Sequence, residues 1–122
     1  MLFTYSEEMD NKNDQWIVQL KKGVFELAIL LLIRNKPMYG YELTNQLNYI
    51  PLFTLADGSI YPILKRMVNK KWVEAYWQES MEGPRRKYYK ITEEGLEIVQ
   101  QRMNDYKELY QALERLQEGK NE

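Results

Sequence analysis

Three consecutive cations, Arg85, Arg86 and Lys87, follow Gly83-Pro84, and an earlier basic pair, Lys65-Arg66, stands in a stretch whose apolar residues recur at helical spacing. A guanidinium group presents a planar fork of donors that matches a phosphate bidentately, and neighbouring arginines at an exposed turn can grip one sugar-phosphate backbone. Between Gly58 and Ile91 there are eight basic residues and three acidic ones, a local net of +5 in a chain whose totals are 17 and 18. The remainder carries nine basic and fifteen acidic residues, so a basic island sits on an acidic protein of net charge -1. Such an island fits one face that meets a polyanion; an ordinary solvated basic face would have the same composition.

Other chemistries are poorly supplied. The chain has no cysteine and no histidine, which removes disulfides, thiol catalysis, zinc-finger ligation and the commonest general base. The acidic residues fall mainly on helix exteriors and in the N-terminal stretch, not as a paired acid and base, so no enzymatic activity, metal or cofactor is expected. The longest apolar run, Leu27 to Ile33, is far short of the roughly 20 residues that a membrane-spanning helix needs. The opening "MLFTYSEEMDNKND" lacks the basic region of a signal peptide, so a cytoplasmic protein with no membrane partner is expected.

The basic residues must be held by the elements around them, and 122 residues suffice for one domain with a real core. Residues 1–13 read as a flexible acidic tail. A first helix is expected from Asp14, its cap, with Trp16, Leu20, Val24, Leu27 and Leu31 at steps of three and four. Ile29, Leu30, Leu32 and Ile33 make its second half apolar nearly all round, which implies cover on every side and suggests a second subunit. Pro37 and Gly40 break the chain before a second helix, Tyr41 to Ile50, with Tyr41, Leu43, Leu47 and Ile50 inward. A third helix, from about Gly58 to Lys70, buries Ile60, Ile63, Leu64, Met67 and Val68 and leaves Ser59, Tyr61, Lys65 and Arg66 on its other face. Pro62 then falls in or just after the first turn, behind Asp57 or Ser59 as cap.

"WVEAYWQE" and "KYYKI" read as the strands of a hairpin, with Gly83-Pro84 at the turn and the arginines at the tip. Thr92 caps a last helix whose apolar residues Leu96, Val99, Met103, Tyr106, Tyr110 and Leu113 follow a coiled-coil spacing. One such stripe is needed to pack on the domain itself; the surplus on the first and last helices points to self-pairing. The expected architecture is mainly α with a small two-stranded β-hairpin. It comprises a winged helix-turn-helix over residues 14–91, with the third helix entering the major groove, and a C-terminal dimerisation helix over 92–122. Tyr61, early on that helix, either donates its hydroxyl to a phosphate or packs against the second helix.

"LKKGVFELAILLLI", "MYGYEL", "GSIYPILKRM" and "GPRRKYYKITEEG" resemble, in order and spacing, the motifs of the PadR family of transcriptional regulators, specifically its branch with a short C-terminal helix. The resemblance implies a dimeric winged-helix protein, usually a repressor, bound to double-stranded DNA at a two-fold related operator. It implies DNA contacts from Tyr39, Ser59, Tyr61, Arg85, Arg86 and Lys87, which Lys65 and Arg66 join on charge and helix geometry. It further implies a homodimer through the first and last helices, drawing on Trp16, Leu20, Leu27, Leu31, Val99, Met103, Tyr106, Tyr110 and Leu113. A small aromatic effector at that interface would meet Trp16, Phe25, Tyr106 and Tyr110, although an aromatic stripe at helical spacing also reads as core. The alternative from another class is a winged-helix module that binds an acidic protein partner.

Overall fold

The computed structural model describes residues 15–119, so the expected tail and the Asp14 cap lie outside the described residues. The expected first helix is two: α1, residues 15–21, and α2, Val24–Ile33. Between them Gly23 adopts φ 90°, a left-handed conformation that only glycine takes without strain. The apolar spacing runs across the break, which is why periodicity alone reads one helix. α2 lies at the centre of the fold, touching three further helices and the sheet. Its all-round apolar surface is therefore covered by its own chain: Ile29, Leu30 and Ile33 are buried, and Ala28, Leu31 and Leu32 pack against the same core.

A short strand, β1 (Met38–Tyr39), leads directly into α3 (Gly40–Asn48). The Glu42 carboxylate reaches back to accept the Tyr39 backbone N–H at 3.2 Å, the return half of a capping box. α3 buries Leu43, Thr44 and Leu47, whereas Tyr41 and Ile50, expected inward, are exposed. A 3₁₀ turn at Pro51–Phe53 follows, and the Asn48 side chain accepts from the Leu55 N–H at 2.9 Å to close the connection.

α4, Ile60–Asn69, buries Ile60, Leu64 and Met67. Pro62 is its third residue, where backbone N–H groups have no intrahelical acceptor. The carbonyl that Pro62 would otherwise engage, that of Gly58, accepts instead from the Tyr61 N–H at 3.3 Å. Ser59 occupies the capping position without a side-chain cap bond. The helix ends in a Schellman arrangement: Lys71 N–H donates to Val68 O at 2.9 Å and Trp72 N–H to Met67 O at 3.1 Å. Lys71, at φ 67°, fills the place that glycine usually takes.

The expected hairpin forms from β2 (Val73–Ser80) and β3 (Gly83–Ile91), and β1 adds a third strand on the far side of β3, giving the order β1-β3-β2. Val73 pairs with Ile91 and Tyr76 with Tyr88, while Met38 and Tyr39 pair with Tyr89 and Tyr88. A two-residue strand is too short to show a period, so it escapes sequence reading. The turn falls at Met81-Glu82, and Gly83-Pro84 already belongs to β3.

The last helix, α5 (Glu93–Gln117), starts at Thr92, whose Oγ1 accepts the Gly95 N–H at 3.0 Å and donates to Lys71 O at 2.7 Å. Gly95 packs so closely that a Cβ there would collide with the Trp72 carbonyl. The first turns of α5 lie on α2 and bury Val99. Farther along, the helix is exposed, and its apolar residues Met103, Leu109, Tyr110, Leu113 and Leu116 face outward. Among the described residues, no helix is long and apolar enough to cross a membrane.

Candidate nucleic-acid interface

The sheet's outer end and α4 enclose an open cleft of about 690 Å³. Its floor is apolar, built from Val68 on α4 and Ala75 and Tyr89 on the sheet, and its rim carries Lys65, Arg86 and Lys87. An apolar floor under a cationic rim is suited to a polyanion that is gripped along its backbone.

The wing cations are positioned by rings. The Arg86 guanidinium lies 4.5 Å above the Tyr39 ring, and Tyr39 packs edge-on against Tyr88 at 5.4 Å, with Tyr88 stacked on Tyr76 at 5.8 Å. Across the hairpin, Trp77 pairs with Lys87 in register, and its ring carries Arg85 at 4.7 Å and Lys87 at 5.8 Å. A guanidinium stacked on a ring keeps its in-plane donors free for phosphate while losing conformational freedom before contact. Arg85, Arg86 and Lys87 are thus exposed on β3 itself, past the turn, and not at the tip as the sequence suggests; the tip is Met81-Glu82. That Trp77 carries wing cations depends on the register that sets it opposite Lys87, which the sequence alone does not show.

On α4, Tyr61 packs against the second helix, one of its two expected roles. Its ring lies over Gly40 at the start of α3, where an added Cβ would come within 2.5 Å of Cε1 and 2.7 Å of the hydroxyl oxygen. The same side chain is 50% exposed and borders the cleft. Lys65, one turn on, borders it too, and Ser59 is exposed at the helix start with its hydroxyl free of a cap bond. Burial raises the pKa of the Tyr89 phenol above its usual 10.0, and nearby Tyr61 adds to the rise. Tyr39 is half-buried and acts here as the platform for Arg86.

Arg66 points away from the cleft toward α2, where its Nε lies 3.8 Å from Glu26 Oε2; its side chain is nevertheless 58% exposed. Lys70 and, from α5, Arg102 reach the same carboxylate at 3.2 and 3.1 Å. This cluster is invisible in the sequence, because a lone acid inside an apolar helix does not reveal partners 44 and 76 positions away.

Of the residues expected at a subunit interface, Trp16, Leu20, Met103, Tyr106, Tyr110 and Leu113 are exposed on α1 and α5. Leu27 and Val99 are 3% and 5% exposed, buried in the core of the chain itself. Leu31 is half-buried against the same core. Of the proposed effector residues, Phe25 instead packs edge-on against Phe53 at 5.5 Å, below Lys21.

Residues 29–101 match the model of the transcriptional regulator PadR-like family. A PadR-like transcriptional regulator from Bacillus cereus is 39% identical, with a TM-score of 0.71 over 80% of this chain and 95% of that one. A PadR family regulator from Eggerthella lenta, at 23% identity, shares the fold with a TM-score of 0.81 over 93% of this chain and 98% of that one. An uncharacterised protein from Lysinibacillus sphaericus is 28% identical over 80% of this chain and 92% of its own length.

Proposed function

Because the chain belongs to the PadR-like family of transcriptional regulators, which bind DNA and are not enzymes, we propose that it acts as a homodimeric repressor of a pseudo-palindromic operator. The observation that carries the reading is the cationic rim of the cleft, with Tyr61 and Lys65 on one wall and ring-stacked Arg86 with Lys87 on the other. α4 would enter the major groove with Ser59 and Tyr61 leading, while Arg85, Arg86 and Lys87 hold the flanking backbone. Arg66 would join them from the flank of α4.

The apolar stripe of α5, with Trp16 and Leu20 of α1, supplies the surface for pairing with a second copy. Two recognition helices about 34 Å apart would then face successive turns of the duplex, which explains a two-fold operator. A small aromatic effector lodged near Trp16, Tyr106 and Tyr110 would release DNA by favouring a dimer with the wrong helix spacing.

Selection of bound sequences from a random duplex pool tests the reading. A short two-fold motif should emerge, bound about 10³-fold or more tightly than random duplex. Arg86→Ala should weaken binding to all sequences and reduce the salt slope by about one per subunit, or about two for the dimer, as a phosphate contact requires. A pool that yields no enriched motif would overturn the regulator reading and favour an acidic protein partner.

A further inference from the structure

Glu26 gathers more cations than one carboxylate can balance. The residue is 6% exposed on α2, and its Oε1 accepts Arg102 Nη1 at 3.1 Å. Its Oε2 serves two cations of α4, Lys70 at 3.2 Å and Arg66 at 3.8 Å. The three are not held equally. Lys70 and Arg102 also rest on the Trp72 ring, at 4.5 and 4.8 Å. Arg66 has no ring beneath it among the described residues, its ion pair is the longest, and its side chain is the most exposed, at 58% against 44% and 29%.

We infer that Glu26 is a positioning residue whose charge is shared between the recognition helix and α5, and that Arg102 governs whether Arg66 is free to reach DNA. While Arg102 neutralises Oε1, the pull of Glu26 on Arg66 is weak and the guanidinium can swing outward to a phosphate. When Arg102 withdraws, the under-neutralised carboxylate draws Arg66 back along α4. Attraction of this kind is little screened at a buried oxygen, so losing one of three partners redistributes the others. Arg102 lies on α5, immediately before the exposed apolar stripe, so a displacement of that helix is converted into a change in the charge that α4 presents. The inference rests on the reading of α4 as the DNA-facing helix.

The test uses the full chain and a mixed-sequence duplex, with affinity measured across a range of salt and folding checked by thermal melting. Arg102→Met should lower affinity several-fold and reduce the salt slope by about one per subunit, the signature of one lost phosphate contact in each. Arg102→Lys should restore most of the slope. In an Arg66→Met background, Arg102→Met should change the slope no further. Glu26→Gln, which frees both α4 cations, should leave the slope undiminished or steeper. Should Arg102→Met fail to fold, Arg102→Gln keeps a donor for Oε1 without the charge and gives the same readout. An Arg102→Met protein with the wild-type slope, or slope losses that add in the double variant, would overturn the coupling while leaving the regulator reading intact. A wild-type chain that binds no duplex would sink both.

Discussion

Tyr61 occupies the space that a side chain at position 40 would need, so Gly40→Ala perturbs the recognition helix from a different element. The added Cβ would lie 2.5 Å from Cε1, 2.8 Å from Cζ and 2.7 Å from the hydroxyl oxygen of Tyr61. Contacts that short must be relieved. Overpacking costs about 1–3 kcal/mol where neighbours cannot move, but this ring is half-exposed and can rotate outward. Gly40 is the first residue of α3, so the gain of alanine over glycine falls below the roughly 0.5–1 kcal/mol of a helix interior. The net change in stability should therefore stay within about 1 kcal/mol, with the ring displaced. If Tyr61 donates to a phosphate, displacing it forfeits a hydrogen bond to a charged group, about 1.5 kcal/mol, or roughly tenfold in affinity per recognition helix. Urea denaturation and duplex titration of Gly40→Ala, Tyr61→Ala and the double variant read the two effects separately. Both single variants should lose about the same affinity, and the double no more than either, because both remove one contact. Wild-type affinity in Gly40→Ala beside a clear loss in Tyr61→Ala, or losses that add, would refute the reasoning.

At Gly95 the same substitution has the opposite balance: the obstacle is the Trp72 backbone carbonyl, which cannot rotate aside. Gly95→Ala should lower the unfolding free energy by about 2 kcal/mol, seen as an earlier denaturant midpoint. Leu113→Glu places a charge on the exposed stripe of α5, away from the core; if the proposed pairing through α5 holds, sedimentation should show a dimer for the wild type and a monomer for the variant, with little change in helix signal. The neutral Tyr89 phenol is favoured in the fold, so its contribution is present below about pH 10 and lost as the pH rises through its higher folded value. Tyr89→Phe should flatten the alkaline limb of stability, followed by melting temperature against pH.

Much of the architecture was legible because it rests on period. The stripes Ile60-Leu64-Met67 and Leu43-Leu47 fall where helical spacing puts them, and Thr92 caps the last helix as its sequence context implies. The hairpin was legible too, but its turn was displaced: Gly83-Pro84 signals a turn, yet proline is tolerated at a strand's beginning, and Met81-Glu82 bends instead. Heptad spacing placed Val99 and Met103 on one stripe without telling which would be covered by α2 and which left bare. What remained illegible depends on register or on distant contacts: Trp77 beneath Arg85, Tyr39 beneath Arg86, and the partners of Glu26.

Tyr39 ends β1 and immediately precedes α3, so the strand ladder to β3 and the first turn of that helix share one residue. Gly40, next in the chain, lies against Tyr61 of α4. The base of the wing is thereby tied to α3 through Tyr39 and, through the Tyr61 ring, borders α4. If a duplex must bend to meet both the wing and α4, the cost would vary with the steps being bent. Selectivity would accordingly extend to base pairs between the helix and the wing that no side chain touches, chosen for their pliancy.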